Sequence, residues 1–149
     1  MKTQSGFTLV EILIVVVILG ILAAIVIPQF TDASTEAKTS SLCSDLQTMR
    51  SQIELYKIQH NDNLPSSAAV GFVLAMTEKT DIDGNADGEY GPYLQKIPTN
   101  PFNDLDTITE AATDPGIAGG AGWFFDTTEG DFRADDAGVT TDGTAHIDL

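Results

Sequence analysis

Disulfides, basic patches and phosphate-cradling loops are all missing from this chain. Its one cysteine, Cys43, has no partner within 149 residues, so a fold exposed outside the cytoplasm must be held by packing or metal rather than by a covalent bridge. Cys43 itself reads as a small apolar packing residue. Basic side chains are scarce, 7 against 22 acids for a formal charge of -15, and between Asn61 and Leu149 only Lys79, Lys96 and Arg133 stand against 17 acids. Nucleic acid binding draws on counterion release by clustered cations, which excludes it here. No glycine-rich nucleotide loop is present, so the chain does not harvest phosphate energy. His60 and His146 are the only histidines and show no nucleophile–base spacing, so no enzyme is expected. His60, at the end of an apolar periodicity, reads as a surface residue favouring a helix dipole.

What the chain does have is grease near its start. A short polar leader, residues 1–6, runs into an apolar segment from Phe7 to Ile27 broken by a single acid, Glu11. Counted from Phe7 the segment spans about 30 Å as a helix, which matches a bilayer, and it is apolar on all sides, unlike an amphipathic core helix. A cleaved secretory signal wants a shorter apolar core without an acid and a small-x-small exit, whereas Pro28, Gln29 and Phe30 follow here. A carboxylate at the edge of a span costs roughly 1 to 3 kcal/mol, so Glu11 calls for a partner or a task. Lys2 lies before the span and the next basic residue is Lys38, which places the N-terminus in the cytoplasm and the body outside. Gly20 and Pro28 weaken the helix, with a kink expected near Ala24.

The run Gly6-Phe7-Thr8-Leu9-Val10-Glu11, then Ile12 to Ile27, then Pro28, resembles the N-terminal signature of type IV pilins and the pseudopilins of type II secretion. The resemblance implies cleavage between Gly6 and Phe7 by a prepilin peptidase that also methylates the new terminus. It further implies that Glu11 pairs with the terminal amine of Phe7 in a neighbouring copy, in a homopolymer built at an inner-membrane assembly platform. Low charge tolerance in an apolar filament core agrees with such a pairing.

Beyond the span, Leu42, Leu46, Met49, Ile53 and Tyr56 recur at spacings of four and three, so residues 31–60 read as the amphipathic second half of one helix running from 7 to 60. Asn61-Asp62-Asn63 before Pro65 is its stop. Residues 61–149 form the head. Ser66 or Ser67 caps a short helix through Ala69, Phe72, Val73 and Met76, Asp81 to Gly91 is irregular, and residues 122–126 and 131–134 form a hairpin about Thr127 to Gly130. Trp123, Phe125 and Phe132 are the expected cover for the helix stripe. The fold class is therefore α+β: a long helix, membrane-spanning in its first half (7–30), against a small antiparallel sheet.

The head carries a second resemblance. Tyr56-Lys57, Leu64-Pro65, Gly91-Pro92-Tyr93-Leu94, Ile97-Pro98, Asn100-Pro101 and the Gly-Trp hairpin are similar to the major, G-type pseudopilins, although Phe102 stands where a Pro-Trp pair is common and no tryptophan lies near Leu149. A second cysteine, which closes a loop in many type IV pilins, is absent. The resemblance implies a structural subunit of a secretion pseudopilus that helps push exoproteins outward; a major pilin of a surface filament, or a minor subunit displaying an adhesion or ligand-binding module, are the alternatives. Asp83, Asn85 and Asp87 alternate around Gly84 and Gly88 like oxygen ligands for calcium, but Leu94 occupies the twelfth place where an EF-hand needs an acid. By resemblance a calcium site would lie instead after the hairpin, at Asp135, Asp136 and Asp142.

Overall fold

The computed structural model describes residues 6–67, 70–113 and 120–149. Its first element is α1, Leu9–Gln59, 51 residues and about 75 Å long at 1.5 Å per residue. Neither Gly20 nor Pro28 divides it. Past the proline, the hydroxyls of Thr31, Thr35 and Thr39 each donate to the carbonyl four residues back, at 3.1, 3.1 and 3.0 Å, a bond that competes with the helix ladder and favours bending. The helix ends where the Asn-Asp pair predicts: Asn61 and Asp62 take left-handed backbone (φ 54 and 65), and the Asp62 N–H returns to the Lys57 carbonyl at 2.9 Å. The termination and the apolar stripe are thus sequence-encoded, within two residues at each end.

The two halves of α1 live in different surroundings. Residues 6–34 are exposed on every side, and this helix is long and apolar enough to cross a membrane by length and composition. In the second half, Leu42, Leu46, Met49, Ile53 and Tyr56 are at most 1 % exposed. They pack against Phe72, Ala75 and Met76 of a second helix α2 (Phe72–Thr77), and against Ile97, Trp123, Phe125, Phe132 and Ala134. Each large side chain so buried is worth about 1.5–3 kcal/mol of transfer free energy, so helix and head stabilise one another as a unit. Arg50 fastens the contact: its Nε donates to the Phe132 carbonyl at 2.9 Å and its Nη1 to the Leu149 carbonyl at 2.7 Å.

Three strands form the sheet: β1 (Ile108–Ala111), β2 (Trp123–Asp126) and β3 (Phe132–Ala134), in that order. The β2–β3 hairpin lies where its aromatic alternation predicts, with Phe125 opposite Phe132. Its turn is built by Asp126, whose Oδ1 accepts from the N–H groups of Thr128 and Glu129 and from the Thr128 hydroxyl, while Gly130 supplies a positive φ of 79°. These donors, the Thr128 hydroxyl first, hold the Asp126 carboxyl below the usual carboxylate range. The expectation of a purely antiparallel sheet is corrected. Strand β1 runs parallel to β2, Ile108 beside Trp123, so the sheet is mixed. Ile108-Thr109-Glu110-Ala111 has one large apolar residue and pairs in parallel with a strand that is not its hairpin neighbour, so no local pattern announces it.

The short helix is also rearranged. Pro65–Ser67 is a separate 3-10 turn, and α2 begins after Gly71, with no side chain capping it. Residue Ala69 lies outside the described residues.

A polar hub joins the sheet to the loop before it. Asn100, fully buried, donates through Nδ2 to the Gly122 carbonyl (2.9 Å) and to Asp136 Oδ2 (2.8 Å), and its Oδ1 accepts from the Phe102 N–H (2.9 Å). Trp123 Nε1 reaches the Pro98 carbonyl at 2.7 Å. Buried donors and acceptors stranded by truncation each cost about 1–3 kcal/mol. Asn100→Ala should therefore destabilise the head by about 3 kcal/mol, lowering the melting temperature by roughly 15 °C for a unit of this size. Circular dichroism melting of the detergent-solubilised chain measures it.

Candidate functional site

At its start α1 is closed by a reciprocal cap. Thr8 is the N-cap residue in extended backbone, its Oγ1 accepting from the Glu11 N–H at 3.2 Å. In return, Glu11 Oε2 accepts from the Thr8 N–H and from the Thr8 hydroxyl, both at 2.8 Å. This is the threonine-x-x-glutamate box in which two orphan donors of a helix start are satisfied together, with the acid at the positive end of the dipole. Phe7 and Glu11 are exposed, and a Cβ added to Gly6 would meet nothing within 4 Å. The geometry thus presents a small residue, an apolar residue and a locally held carboxylate in sequence, at the tip of a helix no part of the described head covers. A carboxylate there can neutralise an ammonium brought alongside, and in apolar surroundings that is the cheapest way to hold both charges.

The comparisons with known proteins bear on this tip and on the head. Residues 1–27 match the prokaryotic N-terminal methylation motif. The chain is 35% identical over 108 residues to the type II secretion system core protein G of Pseudomonas aeruginosa, covering 69% of this chain and 71% of that one. It is similar to the core protein G of Vibrio cholerae as well, 31% identical with 70% and 69% covered. The chain belongs to the type II secretion core protein G family. A fimbrial protein of Pseudomonas aeruginosa is 34% identical over a shorter stretch, 57% of this chain and 56% of that one. No solved structure matches the chain. Family membership places the N-terminal cap in a G-type pseudopilin, whose long helix and small sheet follow the α+β, pilin-like plan read from the sequence.

The acidic loops of this family member hold themselves together. In the first, Asp81 rather than Asp83, Asn85 or Asp87 is the organiser. Its Oδ1 accepts from the N–H groups of Asp83 (2.9 Å) and Asn85 (2.8 Å), and the Asn85 side chain also donates to it. These bonds, Asn85 first, pull the Asp81 carboxyl below the usual carboxylate range. Asp83, Asn85 and Asp87 are exposed. After the hairpin, Asp136 Oδ1 lies 2.6 Å from His146 Nδ1 and 2.8 Å from the Gly138 N–H, while Oδ2 takes Asn100. Asp142 Oδ1 accepts from the Thr140 hydroxyl and from the Thr144 N–H, which lowers its carboxyl too. Among the described residues no three His, Cys, Asp or Glu side chains converge as a metal ion would require.

Three residues take positions the sequence did not announce. His60 is fully buried rather than a surface residue: its Nδ1 bonds the Tyr56 carbonyl and its Nε2 the Thr80 hydroxyl, both at 2.9 Å, and its ring stacks on Tyr56 at 3.7 Å between centroids. Tyr90 and Tyr93 close around it edge-on. Burial, with the Tyr56 and Tyr90 phenols nearby, pushes the Tyr93 hydroxyl up to about 12. The spacing of Tyr56 and His60, four apart at the end of an apolar stripe, was the available signal. Cys43, expected to pack, is exposed beside the buried Leu42. His146 is fully buried near the end of the head, packed on Phe102 at 4.0 Å between centroids, with Gly138 so near that a Cβ there would fall 2.3 Å from the ring.

Proposed function

We infer that this chain is the structural subunit of a type II secretion pseudopilus. The carrying observation is the exposed carboxylate of Glu11, three residues inside a capped apolar helix that the head leaves uncovered. Before assembly the apolar half of α1 anchors the chain in the inner membrane, with Lys2 on the cytoplasmic side and the acidic head outside. A membrane peptidase removes residues 1–6 and methylates Phe7. The subunit is then drawn from the bilayer by an inner-membrane platform and stacked, each Glu11 neutralising the Phe7 amine of another copy. Extension of the stack does mechanical work on folded exoproteins, powered elsewhere. The acidic head suits a fibre that must stay soluble and unbundled, because like charges repel neighbouring stacks.

The fimbrial similarity keeps a surface pilus as the second reading. One strain separates the two. Deleting this chain should abolish secretion of folded exoproteins, leave surface pili in place, and be reversed by the intact chain; native filaments should contain residues 7–149 carrying one extra methyl group. Loss of surface fibres with normal secretion would transfer the assignment to the pilus, and filaments retaining Met1 would overturn both.

A further inference from the structure

We propose that Thr8 is a positioning residue for filament assembly, holding the Glu11 carboxylate by one oxygen so that the other is ready to accept the terminal ammonium of a second copy. The inference rests on the reading of Glu11 above and adds to it a residue and an order of events. Both Thr8 donors, the backbone N–H and the hydroxyl, fall on the same oxygen, Oε2, at 2.8 Å. Oε1 makes no hydrogen bond among the described residues. The hydroxyl also accepts from the Glu11 N–H at 3.2 Å, which locks the two side chains to one turn of backbone.

Two physical consequences follow from this arrangement. A glutamate on a lone apolar helix has several rotamers, and fixing one of them before the partner arrives removes that ordering cost from the encounter. Apolar surroundings also penalise a carboxylate with unfilled acceptors, and two local donors at a helix N-terminus lessen the penalty while the subunit waits in the bilayer. The neighbour's ammonium then adds to a carboxylate already half satisfied, rather than having to displace anything. Pairing becomes a single addition at Oε1, with Thr8 still in place in the filament.

The test uses the full chain in a secreting cell, with filament yield scored per processed subunit. Thr8→Val keeps the shape and the backbone N–H but removes the hydroxyl, and with it two of the three bonds; yield should fall about tenfold. Thr8→Ser restores the hydroxyl and should assemble within about twofold of the parent. Thr31→Val removes another exposed hydroxyl from the same helix, one that bonds the Ile27 carbonyl, and should assemble like the parent. Should Thr8→Val hinder cleavage, Thr8→Ala and Thr8→Ser compared after processing carry the same contrast. Glu11→Gln is the separate arm. If Glu11→Gln fails while Thr8→Val assembles as the parent does, or if Thr8→Val and Thr31→Val lose equally, the role of Thr8 is overturned and that of Glu11 stands. If Glu11→Gln assembles normally, the reading of Glu11 falls, and this inference with it.

Discussion

Glu11→Ala should leave the melting of the head unchanged and reduce filaments at least a hundredfold. The first half of the expectation follows from position: among the described residues the Glu11 side chain bonds Thr8 alone and is absent from the buried cluster that holds the head to α1. The second follows from what is left behind. Removing one partner of a buried ion pair leaves the other charge uncompensated at about 3–5 kcal/mol, which at about 1.4 kcal/mol per tenfold is roughly two to three and a half orders of magnitude in a subunit-addition equilibrium. The same substitution makes the span more apolar and hence more comfortable in lipid, so the variant should accumulate as membrane-held monomer. Quantitative immunoblotting of sheared filaments against the membrane fraction, beside a melting curve, measures both. Filaments at parental yield would remove the carboxylate from the mechanism.

A second large effect is expected at Gly6. Gly6→Val should stop processing and so reproduce the Glu11 phenotype by a different route. Space around Gly6 within the chain is open, so the side chain disturbs nothing in the fold. The cost would fall on the proposed peptidase, which would have to close around the bond between Gly6 and Phe7. Without cleavage the Phe7 nitrogen stays an amide, has no charge to offer, and leaves Glu11 of the adjoining copy unanswered. Intact mass should show the precursor bearing residues 1–6, with processed material reduced more than tenfold and no filaments. Cleavage at the parental rate would place the processing bond elsewhere.

The apolar half of this molecule is legible because its physics is local. An apolar run from Phe7 to Ile27 with one acid specifies a span, Thr8 and Glu11 three apart specify a cap, and Leu42 to Tyr56 specify a face. The β2–β3 hairpin is legible for the same reason, since its turn chemistry sits between its own strands. What escapes is settled by distant residues. β1 pairs with a strand some 15 positions later, as the Ile108–Trp123 register records. His60 is buried because Thr80 and two tyrosines from another loop close over it, and Asn100 matters because Gly122 and Asp136 meet there. In the first acidic loop the residue that organises the turn, Asp81, lies outside the spaced set Asp83, Asn85 and Asp87, so oxygen spacing alone does not announce it.

Arg50 ties rod and head together at two separate points. In the filament proposed above, a force along the axis of α1 would load the seam between helix and head in shear. The guanidinium crosses that seam to the strand at Phe132 and to the chain end at Leu149 together, so sliding must break both bonds at once. Force applied to the rod would therefore be handed to the head at two places far apart in the chain, Phe132 and Leu149.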